Sequence, residues 1–132
     1  MKIIKGWPPN LMKIAKVFPG AMSDTVIFAY APDIYCPGQD NLPPQLVAHE
    51  GVHIARQLDM GVEEWWDRYL VDAEWRYHEE LLAHRAEYKM ICELNPSRQT
   101  RRAALKIVGK RLASAMYGKM VTLDRAMKDI AA

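Results

Sequence analysis

The chain has 132 residues, half of them hydrophobic and 26% charged, with a net charge of +2. That length suits one domain over residues 1–132 with a single core, and so small a charge does not by itself argue for a nucleic-acid or membrane partner. Cys36 and Cys92 are far apart and form no Cys-x-x-Cys metal pattern; free thiols are the simpler reading, with one disulfide as the alternative.

The first nine residues carry an apolar run of only Ile3 and Ile4 before Lys5 interrupts it, unlike a signal peptide. No stretch approaches the roughly 20 apolar residues that span a bilayer, so a cytoplasmic protein is expected. A short strand is expected near Lys2–Lys5, and Leu11–Val17 reads equally as a short helix or a strand. Thr25–Tyr30 is β-branched and aromatic, hence a strand. After the turn at Pro32-Asp33, Ile34–Cys36 is a second short strand. Together they predict a small N-terminal antiparallel sheet.

Gln39–Pro44 is a loop of turn formers. A helix starts at Pro43-Pro44, since proline is tolerated in a first turn, and runs to about Asp59, before Gly61. Val47, Gly51, Ile54 and Leu58 are spaced as its buried stripe, with His49 and His53 on the flank. Val62–Val71 is a second helix, carrying Trp65, Trp66, Tyr69 and Leu70. A longer helix runs from Asp72 or Ala73 to about Leu94. One face of it gathers Tyr77, Glu80, His84, Glu87, Tyr88 and Ile91, so ionisable groups interrupt an otherwise buried stripe and need partners. A third long helix is expected from Asn95 as cap and Pro96 as first residue to about Ala115, with Ala103, Ala104, Ile107, Leu112 and Met116 inward. Tyr117-Gly118 breaks it, and Thr122 caps a last helix over Leu123–Ala131. The whole is an α+β, mainly helical chain.

Within the helix that starts at Pro43-Pro44 the chain reads His49-Glu50-Gly51-Val52-His53. Residues four apart share a helix face, so both imidazoles can reach one metal ion, with Glu50 as an adjacent carboxylate base. The bland alternative is two hydrogen-bonded surface histidines. A catalytic zinc commonly takes a third protein ligand and leaves a position for water. Glu80, central on the polar face of the long helix, is assigned that role. Glu79, His78, His84 and Glu87 are the alternatives, Glu79 and His78 pointing away from the inward face. His84 and Glu87 would then support the ligands or touch substrate. Glu87 reads equally as a salt-bridge partner of Arg76 or of an arginine on the following helix.

His49–His53 followed by Glu80-Leu81-Leu82-Ala83-His84 resembles the gluzincin metallopeptidases. The order of strands, zinc helix, Trp/Tyr-rich segment and Arg76-x-x-x-Glu80-x-x-Ala83 is similar to that of small zincin-like proteins encoded by phages and bacteria. The likeness covers about residues 25–90. The large second domain of typical gluzincins is not expected within these 132 residues. The resemblance implies a minimal zincin-like domain binding one Zn²⁺ and hydrolysing a peptide or protein substrate. In that chemistry Glu50 moves the proton, and Tyr117, His84 or Tyr77 donates to the developing oxyanion. The strand Thr25–Tyr30, if it edges the sheet beside the site, could bind an extended peptide by strand addition. Trp65, Trp66 and Trp75 read first as packing anchors and second as a substrate wall. The basic run Arg98–Arg111 reads as a solvated face rather than a nucleic-acid surface, and the eight methionines as core filler. The rival to the enzyme is a zinc-binding structural or interaction protein.

Overall fold

The computed structural model describes residues 1–95, 97–114 and 117–132. Three short strands, β1 (Ile3–Ile4), β2 (Phe28–Tyr30) and β3 (Asp33–Tyr35), form one sheet in the order β1-β3-β2. The β2–β3 hairpin is antiparallel, with Ala29 opposite Ile34, as the turn at Pro32-Asp33 implies. β1 joins β3 in parallel, so the sheet is mixed rather than wholly antiparallel. β2 is also shorter than the expected Thr25–Tyr30. Val26 N–H donates to Ser23 C=O, and the Ser23 and Thr25 hydroxyls pair at 2.9 Å, which ties the β-branched start of that stretch into a turn. Leu11–Val17 resolves as a helix, α1, which buries Ile14 and leaves Lys13 and Lys16 in solvent.

Three helices follow with almost no slack between them. α2 (Pro44–Met60) begins on the two prolines and ends at Gly61, whose φ of +106° lies where side-chain-bearing residues are strained. α3 (Val62–Val71) starts at the next residue. Asp72 alone joins it to α4 (Ala73–Leu94) and caps it, its carboxylate accepting from Trp75 N–H at 3.0 Å. Such single-residue joints fix α3 and α4 against α2, and α2 and α4 lie side by side. α5 (Arg98–Leu112) is capped by Ser97 rather than Asn95. Asn95 ends α4 instead, its own N–H donating to Ile91 C=O. α6 (Leu123–Ala131) has Thr122 as its cap, as expected. The expected roles of Pro96, Ala115 and Met116 lie outside the described residues.

Apolar side chains collect in three clusters. One gathers Trp65, Trp66 and Tyr69 with Ile14 and Phe28. A second joins Leu81 to Val108, Leu112, Ala126 and Ile130, and a third places Ile54 under Ile34 and Cys36. The inward face of α5 is Ala104, Val108 and Leu112; Ala103 and Ile107 face solvent, because the helix register follows the four-residue spacing that meets α6. Both cysteines are free. No helix among the described residues is long and apolar enough to cross a membrane. Leu112 is fully buried where α4, α5 and α6 meet, so Leu112→Ala should cost about 2–5 kcal/mol. Urea unfolding would show this as a lower midpoint with an unchanged slope.

Candidate metal centre

The register of α2 differs from the stripe read in the sequence. Its buried residues are His49, Glu50, His53, Ile54 and Gln57, while Leu58 is 67% exposed. The two histidines therefore stand at the centre of the inward face. Val47 and Leu58 are hydrophobic and suggest an apolar stripe, but the helix instead turns its ionisable groups toward α4. There they meet Glu80, also buried. His53 Nε2 lies 3.2 Å from Glu80 Oε2, and His49 Nε2 lies 3.5 Å from Glu80 Oε1. The imidazole rings stand edge to face, 5.1 Å apart.

Several buried polar atoms at this junction have no partner among the described residues. They include Glu80 Oε1, His53 Nδ1 and His84 Nε2. An unsatisfied buried carboxylate oxygen costs free energy unless something else binds it. Two imidazole nitrogens converging on that same carboxylate make a donor set that suits a divalent transition metal. His49, His53 and Glu80 could hold such an ion, their ligand atoms all lying within 4.8 Å of one another. His49, His84 and Glu87 satisfy the same distance, but Glu87 is already engaged by His49 and an arginine. The first trio is the better site.

Around the trio, each group is held from behind. Glu87 Oε1 accepts from His49 Nδ1 at 2.9 Å, which leaves Nε2 as the unprotonated nitrogen facing Glu80. Glu87 Oε2 pairs with Arg111 of α5. Both sequence readings of Glu87 thus hold at once, with Arg111 in place of Arg76. Tyr69 donates to Glu80 Oε2 at 2.6 Å. Arg76 is buried, donates to the Tyr69 and Tyr117 carbonyls, and lies under the Phe18 ring. Glu79, expected to point outward, is fully buried; it accepts from Arg56 and from Trp65 Nε1, and Trp65 packs against the His53 ring. His84 Nδ1 donates to the Glu80 carbonyl at 2.6 Å, and its ring abuts His49.

The electrostatics follow from this crowding. Burial pushes the Glu80 carboxyl up, but the His53 and His49 imidazoles outweigh it and hold it well below the usual range. Burial raises Glu50 above the usual range, against the opposing pull of His49 and His53. Burial favours neutral His49, yet the Glu50 and Glu80 carboxylates prevail and raise it. Burial, then the neighbouring His49, drives His84 down to about 3. Burial and the Glu80 carboxylate hold the Tyr69 and Tyr117 hydroxyls well above their usual value, so both remain donors.

A cavity of about 220 Å³ opens onto His49, Glu50, His53 and Glu80. Tyr117 lines it, as its candidate role as a donor requires. His84 does not: it is fully buried behind His49 and Glu80. Tyr77 is spent on Asp129 of α6, and His78 is exposed. Neither His84 nor Tyr77 is placed to touch a substrate. Trp65 and Trp66 are both core anchors and cavity wall, whereas Trp75 only packs. β2 does form a sheet edge, but that edge is closed at Ala29. The Gln57 side chain donates to Ala29 C=O at 2.9 Å and accepts from Ala31 N–H at 2.7 Å, and Trp66 Nε1 also donates to Ala29 C=O. A side-chain amide thus occupies the place of a neighbouring strand, and peptide addition at Ala29 is blocked.

Sequence reasoning gave Tyr69 no role at the site, set Glu79 on the outward face, and offered an arginine of α5 to Glu87 without singling out Arg111. Glu79 lies beside Glu80 on α4, and only the path of α3, which brings Trp65 over it, makes it an inward residue. No family model matches the chain, and neither the curated proteins nor the solved structures contain a significant match. The functional reading therefore stands on residues and geometry.

Two outcomes test the centre. Glu87→Ala removes the acceptor that fixes the His49 tautomer and should weaken metal affinity by about 10–100-fold, measured by chelator competition. Affinity should also rise with pH. A proton on His49 competes with metal, and its raised pKa carries that competition above the ordinary histidine value of 6.5. Equilibrium dialysis between pH 5 and 8 should show metal lost as pH falls, with the decline starting above that ordinary value.

Proposed function

We propose that the chain is a zinc-dependent metallopeptidase of zincin type, close in plan to the gluzincins. The observation that carries this reading is Glu50. It is buried beside both imidazoles, lines the cavity, and has its carboxyl raised by burial. A purely structural metal site has no need of a further, non-ligating carboxylate at the cavity wall.

Zinc is favoured because two imidazoles and one carboxylate, with a position left for water, form a common catalytic zinc set. Bound there by His49, His53 and Glu80, it would supply Lewis acidity. Glu50 accepts a proton from the attacking water and returns it to the leaving amine; its raised pKa brings it nearer the working pH of a general base. Tyr117, kept protonated by burial and the adjacent carboxylates, donates toward the developing oxyanion. Tyr69 and Glu87 act through the ligands, holding the Glu80 oxygen and the His49 ring in place.

A second reading, a zinc-binding structural or interaction protein, draws support from the closed edge of β2, which removes the usual track for an extended peptide at Ala29. The two separate on one variant. Glu50→Gln should retain zinc and lower kcat/KM by about 10²–10⁴-fold in a peptide-cleavage assay. Cleavage undiminished in Glu50→Gln would remove the general base and with it the mechanism. An absence of cleavage by the wild-type, zinc-loaded chain across a broad peptide library would favour the structural reading.

A further inference from the structure

The cavity beside His49 and Glu50 has two unlike parts. Its outer wall is apolar, made by Ile14, Phe18, Val26, Phe28 and Trp66. At about 220 Å³ it is smaller than the roughly 300–1,000 Å³ of pockets for drug-sized ligands. It suits one large apolar side chain better than a length of chain. Arg111, from the last turn of α5, also lines it. Among the described residues, the one acceptor of the Arg111 guanidinium is Glu87, through Nη2. An arginine offers five N–H donors in a planar fork. The remaining donors belong to a side chain that is 41% exposed, at the same cavity as the metal-site residues.

The surroundings limit what can lie across this cavity. Gln57 and Trp66 occupy the outer edge of β2 at Ala29, so a peptide cannot pair there and continue along the sheet. A closed track, a pocket for one apolar side chain and a half-free guanidinium all fit the end of a peptide.

We propose that Arg111 binds the terminal carboxylate of a peptide while the apolar wall takes its last side chain, so that the enzyme releases single apolar residues from C-termini. This rests on the metallopeptidase reading. In the reaction the last peptide C–N bond breaks and a water oxygen bonds to the acyl carbon. One water proton passes through Glu50 to the departing amine. The products are a shortened peptide acid and a free apolar amino acid; no oxidant or other co-reactant is needed. Arg111 is the specificity-determining residue, and its contact with Glu87 also holds the His49 ring.

The test uses the zinc-loaded full chain and two peptides that differ only at the C-terminus, one ending in leucine acid and one in leucine amide. Mass spectrometry should show loss of a single leucine from the acid, at least about tenfold faster than from the amide, as loss of one charge-assisted hydrogen-bonding group implies. Arg111→Gln should abolish that preference. A role confined to holding Glu87 would slow both peptides alike and overturn the assignment. A binding measurement separates this inference from the peptidase reading. N-acetyl-leucine and N-acetyl-leucinamide are titrated into zinc-loaded Glu50→Gln by NMR. Selective binding of the acid, lost in Glu50→Gln/Arg111→Gln, supports the carboxylate site even if no peptide is cut. Equal binding of acid and amide, or cleavage at internal bonds with no preference for the acid, overturns it while leaving a metallopeptidase standing.

Discussion

Three carboxylates and three imidazoles meet between α2 and α4 with almost no access to solvent: Glu50, Glu80 and Glu87 with His49, His53 and His84. Burying that many ionisable groups is costly unless each is paired. Much of the surrounding structure supplies the pairs. Tyr69 from α3 and Arg111 from α5 reach the carboxylates directly, and Trp65 covers His53. Among the atoms left unpaired, Glu80 Oε1 lies between the two imidazoles of α2. A cation placed there would give that oxygen a partner, and no rearrangement of the described side chains is needed to bring the donors together.

The fold can be understood as the means of holding that junction. Gly61 and Asp72 each join two helices through a single residue, so α3 cannot swing away from α2 and α4. α3 thereby lays Trp65 and Tyr69 against Glu79 and Glu80 while Trp66 reaches the sheet at Ala29. Gln57, one helical turn beyond His53, bonds the same strand. The sheet, small as it is, is thus fastened from two sides, by Gln57 of α2 and Trp66 of α3. The apolar clusters lie around the polar junction rather than within it, which leaves the cavity with one charged wall and one apolar wall.

Much of this was legible in the sequence. The bounds of α3, α4 and α6 follow from Gly61, Asp72 and Thr122, whose capping or turn chemistry is local. His49, Glu50, His53 and Glu80 could be singled out because four-residue spacing and carboxylates on an inward helix face are visible in one chain. Other features depend on tertiary packing. The inward face of α2 is polar, so hydrophobicity placed its stripe on the wrong side, at Leu58. The inward turn of Glu79 depends on Trp65, and which arginine of α5 meets Glu87 is fixed only by how α5 packs on α4. The parallel pairing of β1 joins residues about thirty positions apart, with Ile3 opposite Ile34, and no local pattern reports it.

The central claim is that one ion is held by two imidazoles and one carboxylate. Zinc-edge X-ray absorption on the full chain loaded with one equivalent of zinc tests it most directly. The account predicts nitrogen and oxygen neighbours alone at about 2.0–2.2 Å, with outer-shell scattering from two imidazole rings that falls to one in His53→Ala. A sulfur neighbour at about 2.3 Å, or a spectrum unchanged in His53→Ala, would contradict it.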